Sequence, residues 1–429
     1  MLVPELQARG LISQLAGGDD LIAHLGETSR TVYCGFDPTA DSLHIGSLVP
    51  VIALRRFQLA GHRPLVLVGG ATGLIGDPSF KAEERRLNSP EIVHGWSDSI
   101  KAQLVRFLDF DPMIKNGALV VNNYDWLGSV GLLGFLRDIG KHFSVNAMMG
   151  KESVRQRLDR DGLGISFTEF TYMILQSFDF SELFRTYGCT VQLGGSDQWG
   201  NITAGIELTR KLHREQVYGA TFPLVVKADG SKFGKTETGT VWLDPRRTSP
   251  YAFYQFWMSV SDEDVYKFLK YFTFLTLEEI GELELSDASS QGRREAQSIL
   301  AQEVTRLVHG ADALNEARRI SEILFTGEVA ALTSADYAQM ALGGVPVMSS
   351  GSATLPLVDA LVGAGLALTP RGEVTAGQAR KFIQDGAVFV NGVRTTDPNT
   401  LLYRESALGG KYHLLKRGKK QFGLLVWTN

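Results

Sequence analysis

Tyr33-Cys-Gly-Phe-Asp-Pro-Thr39, followed by His44-Ile-Gly-Ser47, is the stretch on which the fold turns. The β-branched and aromatic run 31–35 reads as a strand that ends in a glycine turn, and 46–59 carries helical apolar spacing. Residues 64–68 form a second buried apolar run, so strand, helix and strand succeed one another within 31–68. That order is a βαβ unit, which requires a parallel sheet and a right-handed crossover. The alternation continues outward, with helices over 90–108 and 127–139 flanking a strand at 119–122. A helix over 167–187, a strand at 189–193, a helix after Asp197 and a strand at 222–226 follow, ending in a glycine-punctuated loop at 228–239. This half reads as α/β, a Rossmann-like, doubly wound parallel sheet.

Beyond Pro245 the pattern is helical. Ser261 with Asp264, and Thr276 with Glu279, have capping-box spacing, and helices are expected over 292–308 and 312–324. Residues 333–352 lose periodicity and become Ser/Gly-rich, the composition of a linker. The expected organisation is an α/β domain at 1–244, an all-α domain at 245–332, a linker at 333–352 and a small α+β domain at 353–429.

The chain has 429 residues, 44% of them apolar and 21% charged, which excludes a disordered or collagen-like chain and implies more than one core. No run of eighteen apolar residues suggests a membrane span. Residues 1–10 carry Glu5 and Arg9 and lack the apolar core of a secretory signal, and the only cysteines are Cys34 and Cys189. A cytoplasmic location is the expectation. Net charge is −4, yet residues 353–429 hold ten Lys/Arg against five Asp/Glu. An acidic body with a basic tail suggests a polyanion held at one end.

Four segments carry candidate chemistry. His44 and Gly46 open a helix after a strand, where free N–H groups suit phosphate, and Thr39 can donate alongside; an ordinary βα loop has the same form. Lys232-Phe-Gly-Lys235-Thr236 places two lysines three apart in a glycine-rich loop, a cationic clamp for a leaving pyrophosphate or a solvated surface loop. Lys81 and Arg85 follow Gly76-Asp77-Pro78 and add positive charge near another strand end. Tyr172, Gln176 and Asp179 fall on one face of an otherwise apolar helix, facing a polar ligand or solvent. Gln192-Leu-Gly-Gly-Ser-Asp197-Gln198 is a further strand end leading into a helix. Ligands of open parallel sheets sit beyond the carboxyl ends of strands, so these segments converge on one crevice. No GxGxxG, P-loop or metal-ligand spacing is present.

Together, the segments resemble the bacterial tyrosyl-tRNA synthetases, a family of class I aminoacyl-tRNA synthetases, over essentially the whole chain. His44–Ser47 looks like the family's HIGH element and Lys232–Thr236 like its KMSKS loop. The runs beginning at Tyr33, Gly69, Ile165 and Gln192 are long, specific matches. The segment 378–393 resembles a small RNA-binding domain of the S-four ribosomal type.

The resemblance implies ATP-dependent activation of L-tyrosine to tyrosyl-adenylate, then transfer to the 3′ end of tRNA-Tyr. By it, Tyr33 and Asp179 read the phenol, Asp77, Tyr172 and Gln176 hold the ammonium, and Gln198 lies near the carboxyl. Asp37 and Gln192 fit further tyrosine positions; Cys34, Gly35, Gly46, Ser47 and Asp197 fit the ATP side. Thr39 and His44 would stabilise the transition state at the α-phosphorus, while Lys81, Arg85, Lys232, Lys235 and Thr236 would grip pyrophosphate. Mg²⁺ would enter with ATP, without a resident protein metal. Arg380, Lys381, Lys411, Lys416, Arg417, Lys419 and Lys420 would face RNA, and the family implies a homodimer, for which apolar 127–143 is a candidate face. Ser47 departs from the family, which often has a second His there. A catalytically silent RNA-binding homologue, or an adenylyl-transferring relative without tRNA, would be the alternatives; intact clamp lysines oppose the first and the basic tail the second.

Overall fold

A computed structural model gives the structure of the protein. It describes residues 2–79, 88–151, 154–155, 158, 164–231, 233–236, 239–289, 295–418 and 421–428, with only the backbone at 235, 236 and 289. The chain divides into two compact units, Met1–Gly234 with Tyr266–Glu282, and Lys235–Val265 with Leu283–Asn429.

The first unit is built on a six-stranded sheet: β1 (Gln14–Ala16), β2 (Thr31–Phe36), β3 (Arg63–Val68), β4 (Leu119–Asn122), β5 (Cys189–Gly195) and β6 (Tyr218–Phe222). Its strand order is β1-β6-β5-β2-β3-β4, all parallel except β1, which runs antiparallel to β6 at the edge. β2, β3 and β5 are nearly continuous apolar runs because helices cover both faces of such a sheet. From β2 the chain winds outward through β3 to β4, then returns to β2's other side with β5. Neighbouring strands β2 and β5 therefore feed loops in opposite directions, which opens a crevice at their carboxyl ends.

Local boundaries differ from the sequence reading in physically simple ways. The last strand is Tyr218–Phe222 rather than 222–226, because 218–222 pairs with both β5 and β1 and leaves 223–226 past the sheet's end. The helix expected at 127–139 is a turn at Tyr124–Leu127 and a separate helix at Leu132–Asp138, with Gly128 and Gly131 between them. Helix Phe167–Tyr187 begins at a Ser166 cap and ends at left-handed Gly188.

Residues 266–282 group with the sheet through two buried arginines. Arg9 donates to the carbonyls of Lys270 (3.3 Å) and Leu275 (2.7 Å), and Arg56 to that of Thr273. These are orphan carbonyls at and beyond the end of helix Asp262–Phe272, satisfied here by guanidinium groups. Glu5 balances both arginines, at 2.8 Å and 3.3 Å, and Arg56 also lies over the Phe274 ring.

In the second unit, helices Pro250–Met258, Glu295–His309 and Ala311–Thr326 pack around Phe253 and Trp257. The Ser/Gly-rich stretch after 333 is not coil throughout. Thr333 and Asp336 form a capping box on helix Ser334–Gln339, and Val347–Ser350 pairs in parallel with Gln421–Trp427. Its short elements lacked a readable period. The C-terminal module is a five-stranded sheet with helices Leu357–Gly363 and Ala376–Gln384 closing a core of Leu361, Ile383, Val388 and Trp427.

Arg56→Ala is expected to lower the unfolding free energy by about 3 kcal/mol, since it removes a packed side chain and leaves the buried Thr273 carbonyl without its donor, with Glu5 paired to Arg9 alone. Urea denaturation measures this; a loss below about 1 kcal/mol would contradict the role given to Arg56.

Candidate active site

At the carboxyl ends of β2 and β5 lies a cleft of about 580 Å³. Tyr33, Cys34, Gly35, Asp37, Thr39, His44, Gly46, Ser47, Asp77, Tyr172, Gln176, Asp179, Gln192, Asp197 and Gln198 all line it. The sequence reading thus brought together every candidate of this half that lies among the described side chains. Lys81, Arg85 and Lys232 lie outside the described residues, as do the side chains of Lys235 and Thr236.

The polar face of helix Phe167–Tyr187 turns into the cleft with Tyr172, Gln176 and Asp179. On its other side Ile174, Phe170 and Phe178 pack into an apolar cluster. Asp179 is buried, and each of its oxygens has a donor: Asn123 Nδ2 at 3.0 Å and Trp126 Nε1 at 2.8 Å. Burial pushes its carboxyl up to about 7 against those two hydrogen bonds. Beside it, fully buried Tyr33 has a hydroxyl with no hydrogen-bond partner, and loss of solvent raises that phenol well above its usual range. Gln192 Oε1 is likewise buried without a partner.

Asp37 accepts from Tyr172 (2.6 Å) and from Thr72 (2.7 Å), and Thr72 in turn accepts from Asn123 (3.0 Å). Burial, then the Asp37 and Asp77 charges, raise the Tyr172 phenol well above normal, so it stays a donor. Gln198 donates to Asp77 at 2.6 Å and to Asp197 at 3.2 Å. Burial raises Asp197 from the ordinary carboxylate range, and pushes the Cys34 thiol up to about 12, which makes that thiol inert as a nucleophile.

His44 caps the turn Ile45–Ser47: its Nδ1 accepts from the Gly46 N–H at 3.1 Å. The neutral ring therefore carries its proton on Nε2, and desolvation lowers its pKa although the residue is exposed at the cleft mouth. Any Cβ at Gly46 would lie 2.9 Å from the His44 ring, so only glycine permits this fold-back. Gly234 has φ +86°, and a Cβ there would come 2.3 Å from Ile45 Cγ2. Phe233 packs against the tilted ring of Phe268, stacks on Phe272 and lines the cleft. The backbone at Phe233–Gly234 is thereby seated against the His44–Ser47 turn.

Thr72, Asn123, Trp126 and Asn201 contribute to this polar network without having been singled out. Asn123 and Trp126 directly follow β4, so the strand-end rule applied to that strand would have found them. The described lining holds four carboxylates, and no lysine or arginine among the described residues. The cleft thus offers an anionic pocket for a cation, a buried pair of oxygens for a hydroxyl, and a helix-opening turn at its mouth.

Two sequence profiles match. "tRNA synthetases class I (W and Y)" covers residues 27–326, and "Tyrosine--tRNA ligase SYY-like C-terminal domain" covers 336–425. A tyrosine–tRNA ligase of Aliivibrio fischeri (strain MJ11) is 58% identical over 99% of this chain and 98% of its own length. The chain belongs to the tyrosine–tRNA ligases of class I. Its relative in Escherichia coli (strain 55989 / EAEC) is 54% identical over 99% of both chains. The C-terminally truncated mitochondrial tyrosyl-tRNA synthetase of Aspergillus nidulans superposes with a TM-score of 0.67 at 31% identity, over 76% of this chain and 94% of that one. The family's fold is the one described here, a class I α/β catalytic unit with a C-terminal module.

In that module Arg380 and Lys381 are exposed on helix Ala376–Gln384. Arg417 lies over Phe382 of the same helix, and Lys416 lies near the rings of Phe389 and Phe422. Lys411 sits at the opposite end of strand Tyr412–Arg417, and Lys419 and Lys420 are outside the described residues. Among the described residues no helix is long and apolar enough to cross a membrane.

Because the folded value of Asp179 lies above its unfolded one, the folded state binds the extra proton between about pH 4 and 7. Stability is full below that window and falls as pH rises through it, by a few kcal/mol from this group. Asp179→Asn is expected to flatten this part of the stability–pH curve in urea titrations; identical slopes for the two proteins would contradict the burial argument.

Proposed function

We propose that the cleft activates L-tyrosine with ATP and that the product is passed to tRNA-Tyr, with the residue roles as follows. The carrying observation is the buried Tyr33 hydroxyl without a partner beside the Asp179 carboxylate. A substrate hydroxyl can donate to Asp179 and accept from Tyr33, filling both at once. A substrate without it leaves two buried polar groups unpaired. The resulting rejection, for tyrosine-reading synthetases (the case on which the rule rests), is about 10⁴–10⁵.

At the other end of the pocket, Asp77, Tyr172 and Gln176 receive the ammonium, and Gln198 approaches the carboxylate. Asp37 and Gln192 complete the tyrosine pocket; Cys34, Gly35, Gly46, Ser47 and Asp197 face the nucleotide. One carboxylate oxygen attacks the α-phosphorus of ATP, its bond to the bridging oxygen breaks, and pyrophosphate leaves with that electron pair. His44 suits the departing phosphates as a neutral donor through Nε2, with Thr39 beside it. Lys81, Arg85, Lys232, Lys235 and Thr236 neutralise pyrophosphate, and Mg²⁺ arrives as part of the substrate. A terminal ribose hydroxyl of tRNA then attacks the tyrosyl carbonyl, AMP leaves, and an ester remains. Positioning and charge stabilisation suffice for both steps.

Arg380, Lys381, Lys411, Lys416, Arg417, Lys419 and Lys420 are assigned to RNA phosphates, an affinity that falls with salt. A homodimer in the cytoplasm completes the reading. Leu132, Leu133 and Leu136 support it, being 70%, 82% and 51% exposed on one short helix, a patch that a second copy would cover.

Tyrosine-dependent exchange of labelled pyrophosphate into ATP, without tRNA and with phenylalanine as control, tests the central assignment. Exchange with tyrosine alone is expected; none from folded protein would overturn it in favour of a silent RNA-binding homologue. Asp179→Ala should reduce the preference for tyrosine over phenylalanine by at least about 10²-fold in the same assay, and an unchanged preference would remove the phenol role. Lys235→Ala should slow exchange about 10²-fold with tyrosine affinity within about twofold; a collapse of tyrosine binding would contradict its place at pyrophosphate.

A further inference from the structure

Asn201 is buried in the first turn of helix Trp199–His213 and does not line the cleft, yet it joins two residues that do. Its Nδ2 donates to Gln176 Oε1 at 3.0 Å and to Gln198 Oε1 at 3.1 Å. The amide of Gln198 is spoken for on its other side, where Nε2 donates to Asp77 Oδ2 at 2.6 Å and Asp197 Oδ2 at 3.2 Å. With its NH₂ donating to the aspartate oxygens, Gln198 turns its own oxygen to Asn201. Asn201 must then present its own NH₂, and that group turns the oxygen of Gln176 toward Asn201 and its NH₂ away. Each amide in the row is set by the one before it, starting from Asp77 and Asp197.

We propose that Asn201 is a positioning residue that fixes the polarity of the Gln176 and Gln198 amides for a ligand carrying both an ammonium and a carboxylate. The inference rests on the tyrosine-activating reading above. Without ligand both N–H groups of Gln198 are engaged. An ammonium that pairs with Asp77 releases one of them. Because Asn201 keeps hold of the amide oxygen, the released N–H stays available to the ligand's carboxylate. Without Asn201 only the 3.2 Å contact to Asp197 would hold the amide, which could then turn its oxygen to that carboxylate and repel it.

Titration of tyrosine into the full chain without ATP, by calorimetry, tests this in three variants. Asn201→Asp keeps the shape, loses both donors and sets an oxygen against two oxygens; it is expected to weaken tyrosine binding at least about tenfold. Asn201→Ala leaves the amides merely free and is expected to cost about threefold. Asn201→Leu keeps the volume without a donor and should rank with Ala or worse. The KM for ATP and the tyrosine-to-phenylalanine ratio should stay within about twofold of wild type in each, because the phenol and phosphate ends are untouched. A packing role would rank Ala as the most damaging and Leu and Asp nearer wild type, and that order overturns the proposal. So would tyrosine binding by Asn201→Asp within about twofold of wild type. Should Asn201→Asp fail to fold, the order of Leu against Ala decides. A wild-type chain that binds no tyrosine would instead overturn the functional reading, which separates the two failures.

Discussion

A carboxylate buried among apolar side chains is the constraint around which the active site is arranged. Asp179 is shielded from water by the packing of helix Phe167–Tyr187 against the sheet, and isolated in that way it would stay protonated. Asn123 and Trp126 each give it one hydrogen bond, which counteracts the burial in part and leaves a group balanced near neutral pH. A carboxylate has room for more donors than two. In the proposed reading a ligand hydroxyl is the missing one, and Tyr33 lies beside it with its own hydroxyl unused. On that reading the specificity of the site follows from an incompleteness that only a hydroxyl-bearing substrate removes.

The rest of the cleft extends the same logic. Asp179, Asn123, Thr72, Asp37 and Tyr172 form one hydrogen-bonded row, and Asp77, Gln198, Asn201 and Gln176 another. Each row has an acidic member that dictates which way its neutral neighbours turn. Networks of this kind are valuable only when every member is satisfied, so they rigidify the pocket ahead of binding. The phosphate end is built differently. There a glycine turn, a histidine folded back on it, and the seated backbone of Phe233–Gly234 border the cleft mouth, where the proposed reading places the phosphates.

Much of this was legible in the chain. The strand–turn–helix at 31–59 gave a parallel sheet, and the one-face spacing of Tyr172, Gln176 and Asp179 gave a polar wall inside an apolar helix. Strand-end placement then brought Asp77, Gln192 and Asp197 to the same cleft. What stayed hidden was partnership across the fold. Asn123, Trp126 and Thr72 are remote in sequence from the aspartates they serve, and no period marks them. Asn201 resembles any polar residue in an amphipathic helix until Gln176 and Gln198 are seen on either side of it. The shift of the last strand to Tyr218–Phe222 has the same origin, since pairing with β1 and β5 decides a boundary that side-chain preference leaves loose.

The most direct measurement is an experimental structure of the chain with tyrosine bound. The account predicts the ligand's phenolic oxygen within about 3 Å of both the Tyr33 hydroxyl and an Asp179 oxygen, with Asn123 and Trp126 still in place. A tyrosine bound in the reverse sense, its ammonium at Asp179 and its phenol at Asp77, would contradict it.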